Sequence, residues 1–406
     1  MLTLSVLFVF LLFYWNICKF WLIIKKNSPL KEGSDGKERK DIMAGYPRVE
    51  INLEKIRHNA KNLCEMCAEQ GVKLTGVIKG VNGMPEVMKV IDESPVMSMA
   101  SSRIEHLEAA VKMGCKKPMM LIRMPMLSEI EQVITYTDYS LNTEMTVIEA
   151  LNKEAEKQGK IHEVVIMADT GDLREGYWDK QEMIRDILYI EKELKNIEFA
   201  GIGTNLGCYG SVQPTVAKLT ELADLAKEVE AAVGHPLEIV SGGASGSIAR
   251  IIEKNMPEGI NHLRVGGEMI NAYAMHFLRG YDMPNTKFHP FKIKAEIIEI
   301  KDKPTYPVGE LGVYFLGGTP AYVDRGIRKR AIIALGRLDY GDPSTLIIDE
   351  PGVEVIGASS DHTILDVQDA EKEYKVGDIV TFTVRYAQMM YVTMSPTVKK
   401  VFVEGE

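Results

Sequence analysis

Eight short β-rich runs lie between residues 74 and 265, at 74–79, 96–100, 119–123, 139–142, 164–169, 199–205, 237–241 and 262–265, most of them separated by stretches of helical periodicity. Strands alternating with helices are the pattern of βαβ units, and eight is the number that closes a parallel barrel. The helical stretches include 102–113, 145–157, 180–194 and 213–233, and another at 53–69 precedes the first strand. Beyond residue 285 the texture changes. Short strand candidates at 292–300, 331–335, 353–356, 363–367, 379–384 and 397–403 are separated by turn residues, with no long helical period among them. That predicts an all-β domain. The expected architecture is α/β: a TIM-type (β/α)8 barrel over 43–285, with 271–290 as the connection, and a C-terminal β-domain over 286–406.

With 46% hydrophobic and 26% charged residues, the chain has an ordinary globular balance, which speaks against disorder or a fibrous repeat. Residues 1–42 carry seven Lys/Arg against four Asp/Glu, so of the net charge of -9 the remainder holds -12. A nucleic-acid surface would need a basic patch instead. The five cysteines, Cys18, Cys64, Cys67, Cys115 and Cys208, are odd in number and sparse, which points to a reducing compartment, the cytoplasm, rather than a disulfide framework. Cys64 and Cys67 form a single C-x-x-C on a helical stretch; a zinc site wants a second pair, so packing is their expected role and no metal is expected.

Residues 1–24 are almost wholly apolar, broken by Asn16 and Lys19, and are followed by Lys25 and Lys26. The segment is long enough for a membrane anchor that keeps the rest of the chain in the cytoplasm, and it lacks the basic start and cleavage site of a secretory signal. The alternative is that 1–42 is not translated. Residues 37–40 (KERK) can be encoded entirely by purines and lie where a bacterial ribosome-binding sequence would precede Met43. The intact mass of the native product decides between the two.

Polar groups gather at the ends of the barrel strands, where barrel enzymes keep their chemistry. Lys79 closes the first run and meets Gly80 and Gly83; partial burial there lowers an amine's pKa and prepares it to form a Schiff base. Arg174 follows the fifth strand within 167–176. The sixth ends in Thr204 and Asn205, with Cys208 and Tyr209 beyond. The seventh runs into 241–247 (SGGASGS), a loop rich in N–H and hydroxyl donors that suits a phosphate, and Gly266 and Gly267 after the eighth add donors to the same group. Each feature has an ordinary reading too: a surface lysine, a loop salt bridge at Arg174, a flexible turn with Ser247 as a helix cap. Together, a Schiff-base lysine, a phosphate cup and an arginine at a barrel mouth are what pyridoxal 5'-phosphate requires. Arg264 is then the partner of the pyridine nitrogen. A guanidinium keeps its proton and leaves that nitrogen largely unprotonated, which suits racemisation better than transamination.

The segments 169–177 (DTGDLREGY), 201–210 (GIGTNLGCYG), 240–243 (VSGG), 326–331 (GIRKRA) and 357–362 (GASSDH) resemble those of the alanine-racemase-like pyridoxal-phosphate enzymes of fold type III, over residues 46 to about 400. The resemblance implies a barrel followed by a β-domain and Lys79 as the cofactor lysine. Arg174 orients the substrate or the opposing acid, and Arg264 meets the pyridine nitrogen. Ser245, Gly266 and Gly267 hold phosphate within a site that also includes Ser241, Gly242 and Gly243. Asn205 stands where alanine racemases have a histidine. The second acid/base is a tyrosine from the β-domain of the partner subunit, and counting along 308–314 places Tyr314 there; Tyr386, a cofactor contact, and Asp361 are further β-domain candidates. A head-to-tail homodimer is implied, acting on a free amino acid, ornithine foremost, with lysine, alanine and serine as alternatives. Glu268, Asp172 and Asp361 are the carboxylates available to a substrate ammonium. A decarboxylase or aldolase on the same barrel is a rival reading, as is a non-catalytic pyridoxal-phosphate carrier; such carriers consist of the barrel alone, so the β-domain counts against that reading.

Overall fold

The computed structural model describes residues 45–313 and 321–405. The apolar stretch 1–24, the rest of the extension to residue 42, and Tyr314 therefore lie outside the described residues. Strand β1 (Arg48–Asn52) passes without a turn into the helix Leu53–Ala68, whose start is capped by Asn52 accepting the Lys55 amide at 2.9 Å. Eight parallel strands follow: β2 (Lys73–Val77), β3 (Ser98–Ser101), β4 (Met119–Leu121), β5 (Tyr139–Asn142), β6 (His162–Met167), β7 (Ile197–Gly203), β8 (Ile239–Ser241) and β9 (His262–Val265). They pair in chain order and close where β2 meets β9, with Lys73 opposite His262.

Residue alternation sorts the barrel's apolar side chains into two layers. Val77, Ala100, Met120, Leu141, Val165, Met167, Ala200 and Ile239 fill the lumen, while Val164 and Ile166 of the same β6 strand face the surrounding helices. Cys64 and Cys67 are buried in the outer layer, and burial pushes both thiols up to about 12.

The second layer of the molecule is a sheet of β10 (Phe291–Pro304), β11 (Ile327–Ile333), β12 (Ile347–Ile348), β13 (Glu354–Ala358), β14 (Thr363–Asp366), β15 (Ile379–Thr383) and β16 (Lys399–Val403). The order is β12-β15-β10-β11-β14-β13, and β1 joins it between β10, antiparallel, and β16, parallel. A strand at 48–52 was not expected, and it ties the start of the barrel to the far end of the sequence. Nor was the helix Tyr386–Met394: its polar residues Gln388 and Thr393 are buried and apolar Ala387, Tyr391 and Met394 are exposed, so it shows no helical polar face. Among the described residues no helix is long and apolar enough to cross a membrane.

Candidate active site

A cavity of about 360 Å³ opens at the carboxyl ends of the barrel strands, bordered by the sheet layer. Lys79 faces it. The strand β2 ends at Val77, two residues earlier than expected, so Lys79 begins a single 3-10 turn, Lys79–Val81. The turn itself is made by Asn82 and Gly83, both left-handed at φ 53° and 60°, and not by Gly80. Gly80 serves close packing instead: a Cβ there would lie 2.8 Å from Cε of Met389 and 2.9 Å from Cε2 of Tyr386. The helix Tyr386–Met394 is thereby seated on the lysine turn. Lys79 keeps accessible surface because it looks into the cavity, yet the surrounding protein strips water from its amine. Burial lowers its pKa first, with Arg174 and Arg264 adding to the effect and Cys208 and Glu175 opposing it. Among the described residues the amine has no hydrogen bond or ion pair.

Arg264 lies in β9 and is almost wholly buried. One arm of its guanidinium donates to Oγ of Ser241, the other to the Thr204 carbonyl at 2.8 Å. Ser241 Oγ also meets His262 Nδ1 at 2.8 Å, and His262 Nε2 meets Thr75 Oγ1 at 2.7 Å. Arginine only donates, so the serine hydroxyl donates onward to Nδ1 and the imidazole proton sits on Nε2. Burial, with Arg264 nearby, holds His262 down at about 3, so it stays neutral. Burial also pushes Arg264 down to about 10, which leaves it cationic at neutral pH.

The loop after β6 is organised by Asp172. Its buried carboxylate accepts from the backbone N–H groups of Gly207 and Cys208, each at 3.2 Å, and of Val212 at 3.0 Å. Its carbonyl accepts from Gly210 at 3.1 Å. This joins two mouth loops and removes Asp172 from the carboxylates free to meet a ligand. Arg174, next along, pairs with Glu175 at the cavity wall. Asn205, just past β7 rather than in it, lines the cavity with its Nδ2 buried and without a partner.

Ser245, Gly266 and Gly267 converge with Tyr386. A Cβ on Gly267 would lie 3.4 Å from Tyr386 Cδ2 and 3.8 Å from Ser245 Oγ; one on Gly266 would meet the Val77 carbonyl at 2.8 Å. Glu268 follows, 2% exposed, with Oε1 accepting the Met275 amide at 3.2 Å and Oε2 unpartnered.

Three expected members of the site stand apart from the cavity. Ser241 is spent on Arg264 and His262. Gly242 turns outward, 2.7 Å between a would-be Cβ and Ile260 Cγ2, and Gly243 lies against Ser247, whose hydroxyl closes the loop by donating to the Gly242 carbonyl at 2.6 Å instead of capping a helix. The cavity-lining part of that loop is Ala244, Ser245 and Gly246. Asp361 is exposed on the sheet layer and is not on the cavity wall. Conversely, Arg279 and Arg385 line the cavity unforeseen. Arg279 sits in the segment read as a connection, and Arg385 directly precedes Tyr386.

The family model described as "Alanine racemase, N-terminal domain" matches residues 51–273. An ornithine racemase of Acetoanaerobium sticklandii is 42% identical over 345 residues, 85% of this chain and 96% of that protein. A lysine racemase of Thermotoga maritima is 35% identical over 363 residues, 88% of this chain and 98% of that protein. Among solved structures, an alanine racemase of Clostridium difficile 630 shares the fold with a TM-score of 0.67 at 19% identity, covering 88% of this chain and 96% of that one.

Proposed function

The chain belongs to the alanine-racemase family and is an amino-acid racemase, and from that premise we propose that it interconverts L- and D-ornithine with pyridoxal 5'-phosphate at the barrel mouth. The observation that carries the reading is the meeting, in one cavity, of an unpaired, pKa-lowered Lys79 amine, the fixed guanidinium of Arg264 and the Ser245–Gly267 convergence. The substrate is taken from the ornithine racemase relative.

The residues fit the cofactor. The glycines at 266 and 267 leave a cradle that a side chain would fill, Asn205 keeps a buried amide without a partner, and the cavity has the size of a small-molecule site, roughly 300–1,000 Å³. Lys79 would hold the carbonyl end, Arg264 the pyridine nitrogen, and Ser245, Gly266 and Gly267 the phosphate, with Asn205 and Tyr386 alongside. When bound, the cofactor supplies an electron-withdrawing ring that acidifies the amino acid's Cα–H.

Lys79 Nζ moves the proton on one face of Cα. Desolvation helps, because it raises the fraction of amine that is neutral at physiological pH. Arg264 donates hydrogen bonds and keeps its own proton, so the charge drawn from Cα is held shallowly and a proton returns there promptly. On the other face the proton is moved by Tyr314 of the partner subunit, whose phenol, near pKa 10 unperturbed, needs a cation such as Arg174 beside it. A head-to-tail homodimer completes the site. The apolar side chains of Val308 and Val313, 91% and 83% exposed just before the tyrosine, support a surface that a second copy covers.

The test is proton exchange in heavy water. The protein, pyridoxal phosphate and single L-amino acids are incubated and followed by NMR and chiral chromatography. Deuterium should enter Cα of ornithine as D-ornithine accumulates, and Lys79→Ala should abolish both. Faster exchange with lysine, which the 35% identical lysine racemase favours as a second reading, would move the substrate by one methylene. No exchange with any amino acid would reject the racemase reaction.

A further inference from the structure

We propose that Arg279 is a phosphate-binding residue of this cavity, beside the loop that carries Ser245 and Gly246; the proposal rests on the cofactor reading above. The segment 271–290 does not simply link two layers. It folds back over the barrel mouth through the single π-turn Ala274–Leu278, and the Arg279 amide donates to the Ala274 carbonyl at 3.1 Å. Two contacts fix the turn from either end: the Met275 amide donates to Glu268, and His276 Nδ1 donates to the Tyr281 carbonyl at 3.0 Å.

From that turn the Arg279 guanidinium reaches the loops after β7 and β8. Its Nη1 and Nη2 lie 3.5 and 3.8 Å from the position of a Cβ on Gly246, and its Nη2 lies 3.9 Å from that on Gly207. Gly246 is the neighbour of Ser245. Among the described residues this guanidinium has no hydrogen bond and no carboxylate within ion-pair distance, and Glu268, whose carboxyl it influences, accepts from Met275 instead.

The charge of the cavity calls for an anion. Lys79, Arg174, Arg264, Arg279 and Arg385 line it, and the opposing acids are Glu175 and Glu268. Glu175 is committed to Arg174. A diamino-acid substrate carries a second ammonium and is repelled by a free guanidinium, so an unpaired arginine belongs at the end away from the substrate side chain. A phosphate dianion beside Ser245 and Gly246 satisfies it, and arginine's planar fork matches phosphate oxygens two at a time.

The experiment separates phosphate contact from everything else by using two ligands. The full-length protein, stripped of cofactor, is titrated with pyridoxal phosphate and with pyridoxal, which lacks the phosphate, by absorbance and intrinsic fluorescence, for the wild type, Arg279→Gln and Arg279→Lys. Loss of one charge-assisted contact should raise the Kd for pyridoxal phosphate roughly 10- to 100-fold in Arg279→Gln. The Kd for pyridoxal should stay within about twofold, and Arg279→Lys should recover part of the loss, as expected for a point charge replacing a fork. Equal weakening of both ligands would overturn the proposal in favour of a structural role. An unchanged cofactor Kd with a raised KM for the amino acid would overturn it in favour of a substrate carboxylate contact. A wild-type protein that binds neither ligand would reject the cofactor reading itself, a result recognisably different from both.

Discussion

Glu268 shows how far a single buried group can bend the molecule's response to pH. Burial pushes its carboxyl from 4.5 up to about 7, against the opposing pull of the Met275 and Ala274 amides and of Arg279. Between those two values the folded chain holds a proton that the unfolded chain has released, so raising the pH through this window costs stability, and above it the loss is complete. The cost is about 3 kcal/mol at most. In the cofactor-free protein, Glu268→Gln, which keeps an acceptor for Met275, should lose less stability than the wild type between pH 5 and pH 8 in urea unfolding; parallel losses would show that this carboxyl is not a burden. The places of Lys79 and Arg264 on the cavity wall were legible in the sequence because each is a lone cation in a predicted barrel strand. Ser241 and Gly242 were misjudged because residue parity at a strand end decides which way a side chain points, and β8 aims Ser241 at His262 in the barrel interior. Arg279 was invisible because nothing periodic surrounds it.

The mouth loops work as coupled elements, and Asp172 is the coupling. Three part-buried backbone N–H groups of the loop at 207–212 end on its carboxylate, and a hydrogen bond that water can partly replace contributes roughly 0.5–1.5 kcal/mol. Asp172→Ala should therefore destabilise the protein by roughly 2–4 kcal/mol, and speed amide hydrogen exchange at 207–212 far more than in the helices. Exchange rates in that loop matching the wild type would refute the coupling. The eight barrel strands could be read from the sequence because their apolar runs and intervening helices have distinct periods. The strand β1 could not, since five residues merging directly into a helix leave no turn signal. The helix Tyr386–Met394 was hidden for the opposite reason, having no polar face to set a period, although it carries Tyr386 to the lysine turn.

At the scale of the whole molecule, the proposed sharing of a site across a head-to-tail dimer can be tested by mixing. Lys79→Ala and Tyr314→Phe homodimers should each be impaired, but subunits exchanged between them would create one site with both native side chains. Activity should reappear on exchange and track the heterodimer fraction; a mixture no more active than its parents would place both groups in one subunit. Within one subunit, β1 sets a different constraint. It pairs with β10 and with β16, and Arg48 meets Lys399, made roughly 350 residues later. At the usual 5–20 residues per second, that is a wait of roughly 20–70 s on the ribosome. The barrel can close and β10 can cover one edge of β1 while synthesis continues, whereas the other edge of β1, beside the fully buried Val49 and Ile51, has no partner strand until β16 is made. The earliest described strand thus stays half paired until the latest is made, and a ribosome that stalls late would release a closed barrel with one open strand edge, the kind of segment chaperones hold.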